Sequence, residues 1–133
     1  MDVHIRSLMM ASLMMMMMMM MMIFAYADEG TATFYDPPYT PSACFGNQDN
    51  GKMIAGASDG IWENRGACGR NYKVKCSGAA NTEPHPCQGT NTITVKIVDY
   101  CTACNGTINL SRDAFSMIAK LQAGKIKIHF DRA

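Results

Sequence analysis

Basic residues do not cluster anywhere in this chain of 133 residues, and the net charge is only +1. A nucleic-acid interface needs a basic patch, so that class is excluded, and no cationic amphipathic stretch argues for a membrane surface. The chain has no phosphate-cradling glycine loop and no nucleophile elbow. It also lacks metal ligands at ligand spacing: His85 and His129 stand isolated. No cofactor and no metal is therefore expected. Tryptophan occurs once, at Trp62, and no internal repeat is present.

Long hydrophobic runs are confined to the first residues. After Arg6, Leu8 to Phe24 is almost wholly apolar and includes consecutive methionines from Met14 to Met22. Ala25-Tyr26-Ala27 then fits the small-x-small rule of signal peptidase, with Asp28 as the new N-terminus. A transmembrane anchor is the alternative. The run falls just short of the ~20 residues a span needs and leads straight into the cleavage tripeptide, which favours a secretory signal peptide over residues 1–27. The expectation is a secreted, extracellular protein with no membrane insertion after cleavage. Residues 28–133 then form one small domain with a modest core, its acidic and basic side chains nearly balanced.

All six cysteines lie in that domain: Cys44, Cys68, Cys76, Cys87, Cys101 and Cys104. An even count behind a secretory leader reads as three disulfides in an oxidising compartment, with the pairing open. Each stabilises by roughly 2–4 kcal/mol, which matters for so small a core. Zinc or redox chemistry at Cys101-Thr102-Ala103-Cys104 is the rival reading, but a zinc site wants a second Cys or His pair.

Thr31 to Tyr35 has the composition of a strand, closed by Asp36-Pro37-Pro38. Residues 36–71 are rich in Gly, Pro, Asn, Ser and Asp and read as a long loop region with short strands, pinned by Cys44 and Cys68. Within it, Ile54 to Ser58 is weakly apolar and Gly60-Ile61-Trp62 packs beside it. Asn71 to Cys76 alternates as a strand, and Ser77 to Asn91 is a polar loop clipped by Cys76 and Cys87. Thr92 to Asp99 is the clearest strand, with Ile93, Val95 and Ile97 on one face. Asn105-Gly106 signals a turn. Ser111 is an N-cap, Leu110 and Phe115 fit a hydrophobic staple, and Phe115, Ile118 and Ala119 share a helical face. After Gly124, Lys125 to Phe130 is the last strand, with Ile126, Ile128 and Phe130 inward. Four or more strands, one short helix and tied loops indicate a mainly β fold, a small closed barrel.

Val98 to Phe115 carries half of a two-carboxylate site. Asp99 ends a strand and can serve as an acid. Ten residues on, where a second carboxylate is wanted, stands Asn109, and an amide neither donates nor accepts a proton at neutral pH. Hydrolase activity is not expected, and no residue is assigned a catalytic role.

Six pieces in order match a known group: 30–35, 38–47, 67–70, 95–101, 109–115 and 123–128, from Gly30-Thr-Ala-Thr-Phe-Tyr35 to Ala123-Gly-Lys-Ile-Lys-Ile128. The chain resembles the plant natriuretic peptides and the blight-associated, family-45-endoglucanase-like domain proteins. These are cousins of the expansin N-terminal domain and, more distantly, of barwin and kiwellin. The resemblance implies a six-stranded double-psi β-barrel with a short helix and three disulfides over 28–133. It implies Cys44–Cys68 and Cys76–Cys87, which leaves Cys101–Cys104. Expansins carry a second, carbohydrate-binding domain, and this chain ends at Ala133, after the last barrel strand. In the expansin groove Asp99 matches one acidic position, and Asn109 stands at the other. His129-Phe130-Asp131 looks like an expansin triplet but lies in the final strand, where that triplet does not belong.

Asp99 has two readings: a groove acid facing a sugar hydroxyl or a partner, and a strand-end carboxylate accepting backbone N–H groups near the 101–106 turn. Tyr35, Tyr39, Tyr100 and Trp62 could stack on sugars, with Tyr39 expected exposed and Trp62 an ordinary half-buried ring. Asn105-Gly-Thr107 and Asn109-Leu-Ser111 are both glycosylation acceptors, with Asn109 expected unused. Residues 38–71 correspond to the stretch regarded as the signalling segment of the natriuretic peptides, with Tyr39, Phe45, Asn47, Arg65 and Arg70 as candidate receptor-facing side chains.

The leading expectation is a non-catalytic natriuretic-type signalling protein of the apoplast, acting on water and solute balance through a plasma-membrane receptor. The first alternative is a module that binds or loosens wall polysaccharide, with Asp99, Tyr100, Asn109 and Tyr35 at its groove. The second is a barwin-like, defence-related protein.

Overall fold

The computed structural model describes residues 3–24, 27–89 and 91–133. In chain order the elements are helix α1 (Val3–Phe24), β1 (Asp28–Tyr35), β2 (Ile54–Ala57), α2 (Asp59–Trp62), β3 (Asn71–Ala79) and β4 (Ile93–Tyr100). They continue with β5 (Ile108–Ser111), α3 (Arg112–Ile118), a 3-10 turn (Leu121–Ala123) and β6 (Ile126–Arg132). The apolar run forms α1, with Leu8, Met9, Met10 and Leu13 exposed. Among the described residues no helix is long and apolar enough to cross a membrane. Of the proposed cleavage tripeptide, Ala25 and Tyr26 lie outside the described residues.

Alternation builds the rest. Ile93, Val95 and Ile97 of β4 are buried, as are Tyr72 and Val74 of β3 and Ile126, Ile128 and Phe130 of β6. Strands with one apolar face each must close on one another, and they do so in the order β1-β5-β2-β4-β3-β6, with β6 pairing back to β1. Two pairs, β1 with β5 and β2 with β4, are parallel, and the others are antiparallel. Parallel neighbours cannot be joined by a tight turn, so each pair needs a long crossover. These features make a closed double-psi β-barrel of six strands.

Strand β5 is an addition to the elements read from local residue pattern. Its four residues follow the Asn105-Gly106 turn and precede a helix cap, leaving too short a run for a pattern. β1 also begins earlier than expected, at Asp28, because Asp28 and Glu29 pair with Phe130 and His129. Gly60-Ile61-Trp62 belongs to a helical turn, α2.

α3 packs Ala114, Phe115 and Ile118 into the core, and Phe34 meets the Phe115 ring at 4.9 Å. Ser111, fully buried, caps this helix by accepting the Ala114 N–H at 3.1 Å. Its hydroxyl also donates to the Lys52 carbonyl, which ties the long loop to the helix start. The expected N-cap is therefore present and has a second function. Leu110 and Phe115, the staple residues, are both fully buried.

The disulfides are Cys44–Cys68, Cys76–Cys87 and Cys101–Cys104. The first holds residues 36–53 against β4, where Cys44 N–H donates to Val98 O at 3.0 Å and Gly69 N–H to Ile97 O at 2.9 Å. All four residues of β2 are buried: Ala55 and Ala57 face the core, Ile54 lies beneath the long loop, and Gly56 sits against Asp99 of β4.

Replacing Ser111 with Ala removes the cap, leaves the buried Ala114 N–H unpartnered and releases the Lys52 carbonyl. Urea unfolding of Ser111→Ala should show a loss of about 2–4 kcal/mol. A loss below about 0.5 kcal/mol would mean that Ser111 does not tie loop to helix.

Candidate functional site

A cleft of about 480 Å³ opens on the outer side of the β1-β5-β2-β4 wall. Thr33 and Tyr35 come from β1, Asn109 from β5, and Asp99 and Tyr100 from β4, with Gly56 of β2 below and the 101–105 loop as one bank. Residues Ala32, Ile108 and Leu110 point to the core, so their strand neighbours Thr33 and Asn109 face outward. Asp99 reaches the same face through an irregularity in pairing. Ala55 faces Ile97 but Gly56 faces Asp99, so Val98 is an extra residue in β4. Strict alternation after Ile93, Val95 and Ile97 would have aimed Asp99 inward. The bulge re-aims it into the cleft.

The Asp99 carboxylate accepts the Ala43 N–H and its neighbour Tyr100 N–H, both on Oδ1 at 3.0 Å. Asp99 thus lines the cleft and also anchors backbone, at Tyr100 beside the 101–106 turn and at Ala43 in the 42–46 loop. Asn109 accepts the Thr33 hydroxyl on Oδ1 at 2.9 Å, across the parallel register that sets Thr33 opposite Asn109.

Tyr35 lines the cleft with a buried hydroxyl that has no hydrogen-bond partner among the described residues. Burial, then the Asp99 charge, then Tyr39 push its ionisation well above that of an ordinary phenol. It therefore stays a neutral donor. Tyr100 stacks on Trp62, with centroids 4.8 Å apart and planes 19° from parallel, and its hydroxyl donates to Asp59. That bond raises the Tyr100 ionisation as well. Trp62 is half-buried, as expected.

Tyr39, expected to be exposed, is half-buried. Its ring meets Tyr35 edge-on at 5.0 Å, its hydroxyl donates to Tyr35 O at 3.2 Å, and it accepts the Arg112 N–H at 3.1 Å. Other candidate receptor-facing side chains are also engaged within the chain. Lys96 Nζ sits 4.7 Å from the Phe45 ring centre, Arg65 donates to Ala43 O at 2.9 Å, and Arg70 pairs with Glu63 at 2.8 Å. The Arg70 hydrogen bond also draws the Glu63 carboxyl below its usual range. Asn47 is exposed. These residues do not converge on the cleft. A second cleft of about 630 Å³ lies under the long loop, between Pro38, Tyr39, Lys52, Val98 and Arg112.

Two contacts, one in the cleft and one beside it, escaped the sequence reading. Thr33 is brought to Asn109 by β5 pairing alone, and Asp59 reaches Tyr100 because α2 folds back beside β4. No local pattern marks either contact. Among the described residues no cluster of His, Cys, Asp or Glu has the form of a metal site.

A family profile described as lytic transglycolase matches residues 54–130. An EG45-like domain containing protein of Citrus jambhiri is 58% identical over 111 residues, covering 82% of this chain and 84% of the relative. The chain belongs to the EG45-like domain proteins. EG45-like domain containing protein 2 of Arabidopsis thaliana is 48% identical, covering 78% of this chain and 79% of the relative. Among solved structures, a point-mutant expansin of Clavibacter michiganensis in complex with cellohexaose is similar, with TM-score 0.63 at 22% identity over 79% of this chain. This chain spans about half of that expansin, 49% of its length. A Streptomyces papain inhibitor is also similar, with TM-score 0.55 at 24% identity, covering 81% of this chain and 98% of the inhibitor. Both likenesses concern the fold, an expansin-like barrel.

Removing an unpartnered buried hydroxyl relieves a desolvation cost, so Tyr35→Phe should leave stability unchanged or raise it by about 1 kcal/mol. An absorbance titration should show Tyr35 as the last phenol to ionise, a phase missing from the variant. The folded state holds this proton more tightly than the unfolded chain. Stability is therefore full below the ordinary phenol value of 10.0 and falls as pH rises beyond it. A clearly destabilised variant would show that the hydroxyl is bonded within the protein.

Proposed function

We propose that this EG45-like domain protein is a secreted, non-catalytic barrel that binds a neutral β-linked glucan of the plant cell wall along the Asp99 cleft. The observation that carries the reading is the Asp99 carboxylate gathered with Asn109 and Tyr100 in one open cleft. A carboxylate and an amide suit sugar hydroxyls, which both donate and accept. Tyr100 offers a ring for an apolar sugar face. The cellohexaose held by the similar expansin supports a glucan as the ligand class. The leader and the plant relatives support a location in the wall.

Hydrolysis has little to stand on. Inverting cleavage needs two carboxyl groups about 6.5–9.5 Å apart, one of them protonated. Here the position across from Asp99 is Asn109, already accepting from Thr33.

Natriuretic-type signalling through residues 38–71 is the second reading. It is supported by the fixed form of that stretch, which Cys44–Cys68 and the Val98 and Ile97 bonds hold as one surface. It ranks lower because Tyr39, Phe45, Arg65 and Arg70 are all engaged within the chain.

Pelleting with insoluble cellulose and calorimetry with cello-oligosaccharides test the first reading. Tyr100→Ala should weaken binding about tenfold, the equivalent of one ring contact. Asp99→Ala should abolish it, and no reducing sugar should appear with the wild type. Protein that ignores glucans but swells wall-free protoplasts, with a reduced and alkylated control inactive, would replace this reading with signalling. Reducing sugar released by Asn109→Asp would identify the cleft as that of a decayed hydrolase.

A further inference from the structure

We propose that Asn105 carries an N-linked glycan that stands on the bank of the Asp99 cleft and restricts which polysaccharide chains enter it. The inference rests on the secretory reading of residues 1–27 and on the cleft as a glucan site.

The chain holds two acceptor sequences four residues apart, and the fold separates them. Asn105 is exposed on the 101–106 loop and lines the cleft edge, and its amide makes no hydrogen bond among the described residues. Asn109 is half-buried in β5, between β1 and β2. Its Oδ1 holds the Thr33 hydroxyl, and Ser111, which completes its acceptor sequence, is fully buried at the helix cap. A glycan on Asn109 would have to leave through the floor of the cleft and would disturb the register that closes the barrel. One on Asn105 leaves straight into solvent.

In the transfer, the Asn105 amide nitrogen bonds to the anomeric carbon of a lipid-linked oligosaccharide. The carbon–oxygen bond to the lipid pyrophosphate breaks, the pyrophosphate leaves with the electron pair, and the amide gives up one proton. Thr107 completes this acceptor sequence; it is half-buried, and its hydroxyl accepts the Thr31 N–H at 3.1 Å.

The consequence is steric. The same loop carries Thr102 and Ala103, both exposed, and forms one side of the cleft. A branched sugar rooted there would crowd the approach beside Tyr100. Free chain ends and short oligosaccharides would enter more easily than a chain packed in a crystalline surface.

The full chain translated with microsomes gives the first test. It should become protected from added protease and shift upward on a gel. Asn105→Gln should lose the shift and Asn109→Gln should keep it. Protection without a shift, or a shift lost only in Asn109→Gln, would overturn the proposal alone. A chain left open to protease would overturn the secretory reading and the proposal with it. For the gate, protein secreted from plant cells is compared before and after endoglycosidase trimming. Trimming should raise binding to insoluble cellulose severalfold with little change for cellotetraose. Equal binding to cellulose before and after trimming would reject the gate and leave the modification standing. Loss of cellotetraose binding in both forms would reject the glucan cleft and, with it, the gate.

Discussion

The structure depends on four residues, Ile108–Ser111. β5 stands between β1, which it joins in parallel, and β2, which it joins antiparallel. Remove it and the barrel is an open sheet with two bare edges. Each of its side chains also has a different duty. Ile108 and Leu110 fill the core, Asn109 meets Thr33 in the cleft, and Ser111 caps α3 while holding the Lys52 carbonyl. Core, cleft and loop attachment thus converge on one short strand, and its register fixes all three together.

Most of the fold was legible in the sequence because period-two burial is a local signal. The strands at 71–79, 93–100 and 126–132 alternate visibly, and Ser111 with Leu110 and Phe115 announces the helix. The resemblance added the strand count and the disulfide pairing. Residue pattern alone did not reveal β5, whose identity as a strand comes from its neighbours in space. The candidate site was legible in its residue types and less so in its geometry. Asp99, Asn109, Tyr35 and Tyr100 do share a cleft, whereas Thr33 and Asp59 arrive through pairing and chain reversal. Tyr39 was misjudged for a related reason: prolines on either side suggest exposure, but Arg112 at the far end of the chain supplies its hydrogen bond.

Asp99 shows how a single inserted residue re-aims a side chain. On an unbroken strand it would follow Ile97 into the core, where an unpaired carboxylate is costly. The extra residue at Val98 places Val98 under the long loop and Asp99 in the cleft. The two backbone N–H groups on Oδ1 then fix the carboxylate, and one of them comes from Ala43 in the disulfide-pinned loop. Cys44–Cys68 thereby contributes to the site it does not touch, since it holds the donor in place.

The same geometry separates binding from bond cleavage. Burial keeps the Tyr35 phenol neutral, and Asp99 is already committed to backbone donors. Cleavage of a glycosidic bond would need a group that releases a proton to the leaving oxygen and another that takes one from water. The position that could supply the first is an amide turned toward Thr33. On the proposed reading, the groups of this cleft orient hydroxyls, and a chain laid across it is held and left intact.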